Sequence, residues 1–146
     1  MREVVSQRLW LGNAIDARDL RRLYELEIAA VVDLAIEEPP AQLGRDMIYC
    51  RFPLNDGAGN PAWLLQAAID TVGYFFRESV NTLVACSGGM SRSPAIVAAV
   101  VATQGLNSPD DCLLEIVAGQ PHDVSPLLWQ DVKQAILTSP PPTEWP

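Results

Sequence analysis

Hydrophobic positions along the chain follow two alternating patterns. Short, nearly continuous apolar runs occur at Arg8-Leu9-Trp10-Leu11, Ala29 to Leu34, Met47 to Phe52 and Val80 to Ala85. Runs of this length, bounded by polar residues, predict strands buried on both faces. Elsewhere apolar residues recur every three to four positions. Leu64, Leu65, Ala68, Ile69, Val72, Phe75 and Phe76 form one stripe, and Leu127, Leu128, Val132, Ala135 and Ile136 form another. Each predicts an amphipathic helix. A further helix is predicted from Asp16 to Glu27, with Leu20, Leu23 and Tyr24 on one side. Arg18, Arg21 and Arg22 lie elsewhere on it and read as a solvated face.

Proline placement sharpens the helix starts. Asn60-Pro61, Ser93-Pro94, Ser108-Pro109 and Ser125-Pro126 each read as an N-cap followed by proline at the first helical position, where a missing N–H costs nothing. Asp110 and Asp111 then fall in a first turn, where the helix dipole favours negative charge. Strands alternating with helices predict an α/β fold: a single domain over residues 3–138, with a largely parallel sheet of four to five strands flanked by helices. The proline-rich segment 139–146 predicts a disordered tail.

Composition narrows the function. At 146 residues the chain is long enough for one real core. Ten Lys+Arg against 18 Asp+Glu give a net charge of −8, the wrong balance for a nucleic-acid backbone binder. The longest apolar stretch, Pro94 to Ala102, is far too short for a membrane span, and the first eight residues lack the apolar run of a secretory signal. Three cysteines (Cys50, Cys86, Cys112) leave an odd one in any disulfide scheme, which suits a reducing, cytoplasmic setting. One histidine, His122 in a loop, and no Cys-x-x-Cys pair disfavour a zinc site. Gly89-Met90-Ser91-Arg92-Ser93 lacks the closing glycine of a serine-nucleophile elbow.

The chemistry concentrates in Val84-Ala85-Cys86-Ser87-Gly88-Gly89-Met90-Ser91-Arg92-Ser93-Pro94. A cysteine stands at the carboxyl end of a predicted strand, where α/β folds place their ligands. Small residues then feed the N-terminus of a helix, so several backbone N–H groups converge on one point and suit a tetrahedral oxyanion and a thiolate. Arg92 adds a planar fork matched to two phosphate oxygens. A Cys-to-Arg spacing of six is weak evidence alone, and a buried structural cysteine is the plain alternative. The joint context of strand, glycines, serines and helix favours the anion site.

Cys86 to Ser93 resembles the Cys-x5-Arg-Ser phosphate loop of the dual-specificity subgroup of cysteine-dependent protein tyrosine phosphatases. Leu9 to Ala14, Ile28 to Ala35 and Phe52-Pro53-Leu54-Asn55-Asp56 are similar to that family's opening segments and acid-bearing loop, so the resemblance covers most of the chain. It implies Cys86 as nucleophile, Asp56 as general acid and then base, and Arg92 with the main-chain N–H groups of Ser87, Gly88, Gly89, Met90, Ser91 and Arg92 as the phosphate cradle. Ser93 carries over as the hydroxyl that eases departure of the sulfur, and Ser91 as a brace of the loop. Asn55-Asp56-Gly57 is also a plain turn signal, and Asp33, inside an apolar strand, is the weaker candidate acid.

The implied reaction is hydrolysis of phosphate monoesters (phosphotyrosine, and phosphoserine or phosphothreonine) through a phosphocysteine, with no metal or cofactor. Its substrates would be phosphorylated proteins or small phosphate esters, without nucleic acid or membrane partners. The family usually has histidine before the nucleophile; here the residue is Ala85. That departure motivates a second reading, a phosphate-recognising binding module with little turnover. A sulfurtransferase or arsenate-reducing enzyme is a third, disfavoured because sulfur transfer needs no upstream acid. Cys50 and Cys112 read as buried cysteines, with a reversible Cys50–Cys86 disulfide the less favoured alternative for Cys50.

Overall fold

Four of the five strands run parallel, which sends their carboxyl ends to one edge of the sheet. They are β2 (Leu9–Gly12), β3 (Ala30–Ala35), β4 (Ile48–Leu54) and β5 (Thr82–Ala85), and the computed structural model describes residues 1–105 and 107–138. The tail expected over 139–146 lies outside the described residues. Strand order is β1-β2-β5-β3-β4, with β1 (Arg2–Val5) antiparallel to β2. The sheet is therefore mixed, mostly parallel. The sequence pattern does not reveal β1, because its four residues are incompletely buried and hold only two apolar side chains. It is an edge strand recruited by its neighbour.

Alternation along the central strands sends side chains to two cores. Val32 and Leu34 of β3 and Val84 of β5 face a large cluster, while Val31, Leu83 and Ala85 face a smaller one. The large cluster is completed by α2 (Ala62–Arg77), α3 (Arg92–Gln104), α4 (Pro109–Val117) and α5 (Pro126–Leu137). The smaller one is closed by Ala17 of a 3-10 turn and Leu23 of α1 (Leu20–Glu25). Every residue of α3 from Arg92 to Val100 is buried, as expected of a helix that is apolar nearly all round. Each fully buried leucine or valine here contributes about 1.5–3 kcal/mol relative to exposure.

The caps expected at Ser108 and Ser125 are present: their side chains accept from the N–H groups of Asp111 (3.1 Å) and Leu128 (3.4 Å). Two others are not. Helix α2 starts after Pro61, and the Asn60 amide instead accepts from Asn55 N–H and donates to Asn55 O. Helix α3 already begins at Arg92, so Ser93 and Pro94 lie inside its first turn. The helix expected from Asp16 to Glu27 is split, because the Asp19 carboxylate accepts from Arg22 N–H and restarts the chain at Leu20. Among the described residues no helix is long and apolar enough to cross a membrane.

Register ties the strand ends together. Gly12 and Asp33 both pair with Ala85, and Ala35 pairs with Leu54. The loops that follow β2, β3, β4 and β5 consequently meet at the same edge, although they are far apart in sequence.

Candidate active site

Cys86 directly follows β5 and is 2% exposed. The chain then turns sharply through Gly89, whose φ is +72° and whose absent Cβ would lie 2.9 Å from Gly12 O. Only glycine satisfies both the left-handed backbone and that approach. The turn aims Gly89 N–H at Cys86 Sγ, 3.2 Å away. Two backbone hydrogen bonds strap the loop to the end of β2: Cys86 N–H donates to Gly12 O (3.3 Å), and Ala14 N–H donates to Ser87 O (3.1 Å). The N–H groups of Ser87, Gly88, Met90, Ser91 and Arg92 have no protein acceptor among the described residues. Free donors at a helix N-terminus make an anion cradle.

Arg92, 3% exposed, stands at the head of α3, and each edge of its guanidinium has a distinct environment. Nη1 and Nη2 both donate to the Glu37 carboxylate, and Nη1 also donates to Leu54 O at 2.9 Å. Of the five donors, Nε–H and the second Nη2 proton remain. Nε is buried with no partner among the described residues. The open edge is thus the side-on fork that suits two oxygens of a phosphate. Burial alone would pull the Arg92 pKa down. The hydrogen bonds and charge of Glu37, with the charges of Cys86 and Asp56, outweigh it and hold the guanidinium above its ordinary value.

Asp56 sits on the loop after β4, braced by Asn60, whose amide also donates to Gly57 O. Ser91 Oγ donates to Asp56 Oδ1 (2.6 Å) and accepts from Ser125 N–H (3.1 Å). One hydroxyl thereby joins the loop after Cys86, the loop after β4 and the start of α5. Asp123 N–H donates to Met90 O (2.9 Å). A recess of about 260 Å³ results, lined by Glu37, Asp56, Ser87, Gly88, Met90, Ser91, Arg92 and Asp123.

Six of the residues singled out in the sequence therefore line one recess; Cys86, packed in the main core cluster, does not line it, and the Gly89 amide is directed at its sulfur. Ser93 is fully buried, and its Oγ faces Gly12 O at 3.5 Å, a long contact, rather than hydrogen-bonding the sulfur. Asp33 is structural: its carboxylate accepts from Tyr49 Oη (2.6 Å) and Ala35 N–H (3.1 Å) inside the sheet. Cys50 packs against the main core and Cys112 lies within it; burial pushes both thiols up, with Glu115 and Asp111 adding to the effect at Cys112. His122 is exposed beside a groove on the Gly89 side of the loop.

Sequence reasoning missed the residues that hold this machinery from outside. Arg51 of β4 donates to the carbonyls of Ala35, Ile36 and Glu38 and so fixes the loop after β3. Glu38 on that loop accepts from Ser87 Oγ (2.7 Å) and pairs with Arg18 (2.8 Å), so Arg18 is more than a solvated charge. The Arg92 hydrogen bonds hold the Glu37 carboxyl below its usual range, and those of Ser87 and Arg18 do the same for Glu38. The one available signal was Glu37-Glu38, one residue beyond the end of β3, at the edge where Cys86 also lies.

No protein-family model matches the chain. Among curated proteins it is similar to dual specificity protein phosphatase 15 of Homo sapiens, with 32% identity over 142 residues, covering 97% of this chain and 41% of that protein. The Mus musculus protein of the same name is 31% identical over 137 residues, covering 91% of this chain and 48% of the relative. The chain thus spans less than half the length of these relatives. Among solved structures, the DUSP15 crystal structure superposes with a TM-score of 0.80 at 28% identity, covering 94% of this chain and 88% of that one. Human DUSP28, at 20% identity, shares the fold with a TM-score of 0.78 and covers 90% and 93% of the two chains. In both sequence and architecture, the chain is thus similar to the dual-specificity subgroup of the cysteine-dependent protein tyrosine phosphatases.

Proposed function

We propose that the chain is a phosphatase that hydrolyses phosphate monoesters, phosphotyrosine and also phosphoserine or phosphothreonine, through a phosphocysteine and without a metal ion. The observation that carries this reading is the run of N–H groups without protein acceptors among the described residues, together with the unpartnered Nε/Nη2 edge of Arg92, in the loop and helix start that follow Cys86. In the first step the Cys86 sulfur forms a bond to phosphorus while the bond to the leaving oxygen breaks. Asp56 supplies that oxygen's proton. Water then attacks the same phosphorus, Asp56 takes its proton, and the sulfur–phosphorus bond breaks. The loop amides and Arg92 hold the equatorial oxygens through both steps, where preorganised donors stabilise developing charge best. Asp56 Oδ1 is occupied by Ser91, which leaves Oδ2 to face the leaving oxygen.

The test is hydrolysis of phenyl phosphate, whose leaving oxygen needs protonation, in excess chelator by wild type, Cys86→Ser and Asp56→Ala. Turnover abolished by the first substitution and depressed by the second supports the reading. Tight phosphate binding by a wild type that does not turn over would replace it with the binding-module reading, which Ala85 before the nucleophile favours.

A further inference from the structure

The recess combines an anion cradle at its floor with negative charge at its rim. Glu37, Asp56 and Asp123 line it, and Arg92 is the only cation among its lining residues. That cation is already matched by Glu37, which is half-exposed at the mouth. Nearby arginines are committed elsewhere, Arg18 to Glu38 and Arg51 to backbone carbonyls. The chain's single lysine, Lys133, pairs with Asp110. The unpartnered, buried Nε of Arg92 independently calls for an anionic ligand. A bare phosphate dianion therefore meets donors below and carboxylates around it. A ligand carrying its own positive charge beside the phosphate satisfies both.

We propose that Asp123 sets a charge selectivity at the rim, and that the preferred substrates are phosphorylated protein segments in which lysine or arginine flanks the phosphoresidue. The inference rests on the phosphatase reading of this same recess and names its substrate class. Charges at such a rim act through partly screened solvent. The preference is accordingly about threefold per flanking charge and falls with salt.

The experiment compares phosphotyrosine peptides with basic, neutral and acidic flanks. Wild-type kcat/KM is measured from about 0.05 to about 0.5 M salt, alongside peptide Kd values for Cys86→Ser. Basic flanks should exceed acidic flanks by about tenfold or more at low salt, the gap should narrow as salt rises, and Asp123→Lys should collapse it. Asp123 is exposed, and only its backbone N–H bonds the phosphate loop, so the variant keeps that contact. Asp123→Asn, a smaller change, should narrow the gap partway. Equal or better use of acidic flanks, or a ratio that neither variant moves, overturns the proposal. Loss of all turnover in wild type counts against the phosphatase reading instead, and the Kd ratios then decide the rim's selectivity by the same criterion.

Discussion

Ser91 Oγ lies 2.6 Å from Asp56 Oδ1, joining two residues 35 positions apart in the chain. The acid loop is not simply adjacent to the phosphate loop but hydrogen-bonded to it, and the same hydroxyl is anchored by Ser125 N–H. Positioning of the candidate proton donor thus depends on a residue of the phosphate loop itself. Ser91→Ala should lower kcat about tenfold for phenyl phosphate, the equivalent of one charge-assisted hydrogen bond. It should barely affect p-nitrophenyl phosphate, whose leaving group needs little protonation. Asp56→Asn should show the same leaving-group contrast at about 10²–10⁴-fold. Steady-state kinetics over a series of aryl phosphates provides the check.

Glu37 holds the Nη1/Nη2 edge of Arg92 and leaves the Nε/Nη2 edge without a protein partner among the described residues. Removing its charge with Glu37→Gln should weaken phosphate binding about tenfold, measured as the Ki of inorganic phosphate, because a bidentate charge-assisted pair is replaced by a neutral contact.

The same pair gives a signed pH dependence. The Glu37 carboxyl is held below its ordinary value of 4.5 chiefly by the Arg92 hydrogen bonds. Its contribution to stability is therefore complete above that value and is lost as pH falls through the lowered folded value. Thermal denaturation should show wild type more stable than Glu37→Gln at pH 7, with the difference closing in the acid range below the ordinary value.

Ala85 is 1% exposed and belongs to the smaller core with Ala17, Leu23, Val31 and Leu83. Restoring the family's usual residue by Ala85→His inserts an imidazole into a filled site and should destabilise the protein by about 1–3 kcal/mol, measurable by chemical denaturation. The small residue is thus matched to its packing.

Gly89→Ala should distort the cradle while sparing the core. It forces a Cβ within 2.9 Å of Gly12 O at a φ of +72°. The strain, about 1–3 kcal/mol, falls on the loop whose N–H groups would hold phosphate. Phosphate affinity should fall about tenfold or more, as titration calorimetry would read directly.

Much of this was legible in the chain itself. The strands β2 to β5 announce themselves because burial on both faces requires continuous apolar runs, and Ser108 and Ser125 because a cap followed by proline is a local signal. Cys86, Arg92 and their intervening residues are also local, being one loop and one helix start. What the sequence hides is whatever depends on loops meeting. Glu37 gains its meaning only when β3 lies beside β5 and Arg51 pins the loop between β3 and β4. Asp123 reaches the recess only through the fold of the segment before α5. Asn60 reads as a cap from its neighbour Pro61, yet the turn carrying Asp56 claims its amide. Strand β1 carries too little apolar signal to be seen without its partner.

The most direct test of the account asks whether phosphorus becomes bonded to the Cys86 sulfur. Wild-type protein mixed with p-nitrophenyl phosphate, quenched in acid within milliseconds and mapped by mass spectrometry, should carry phosphate on the peptide containing Cys86. Cys86→Ser should carry none. Hydrolysis by the wild type with no phosphocysteine, or phosphate found on any other residue, would contradict it.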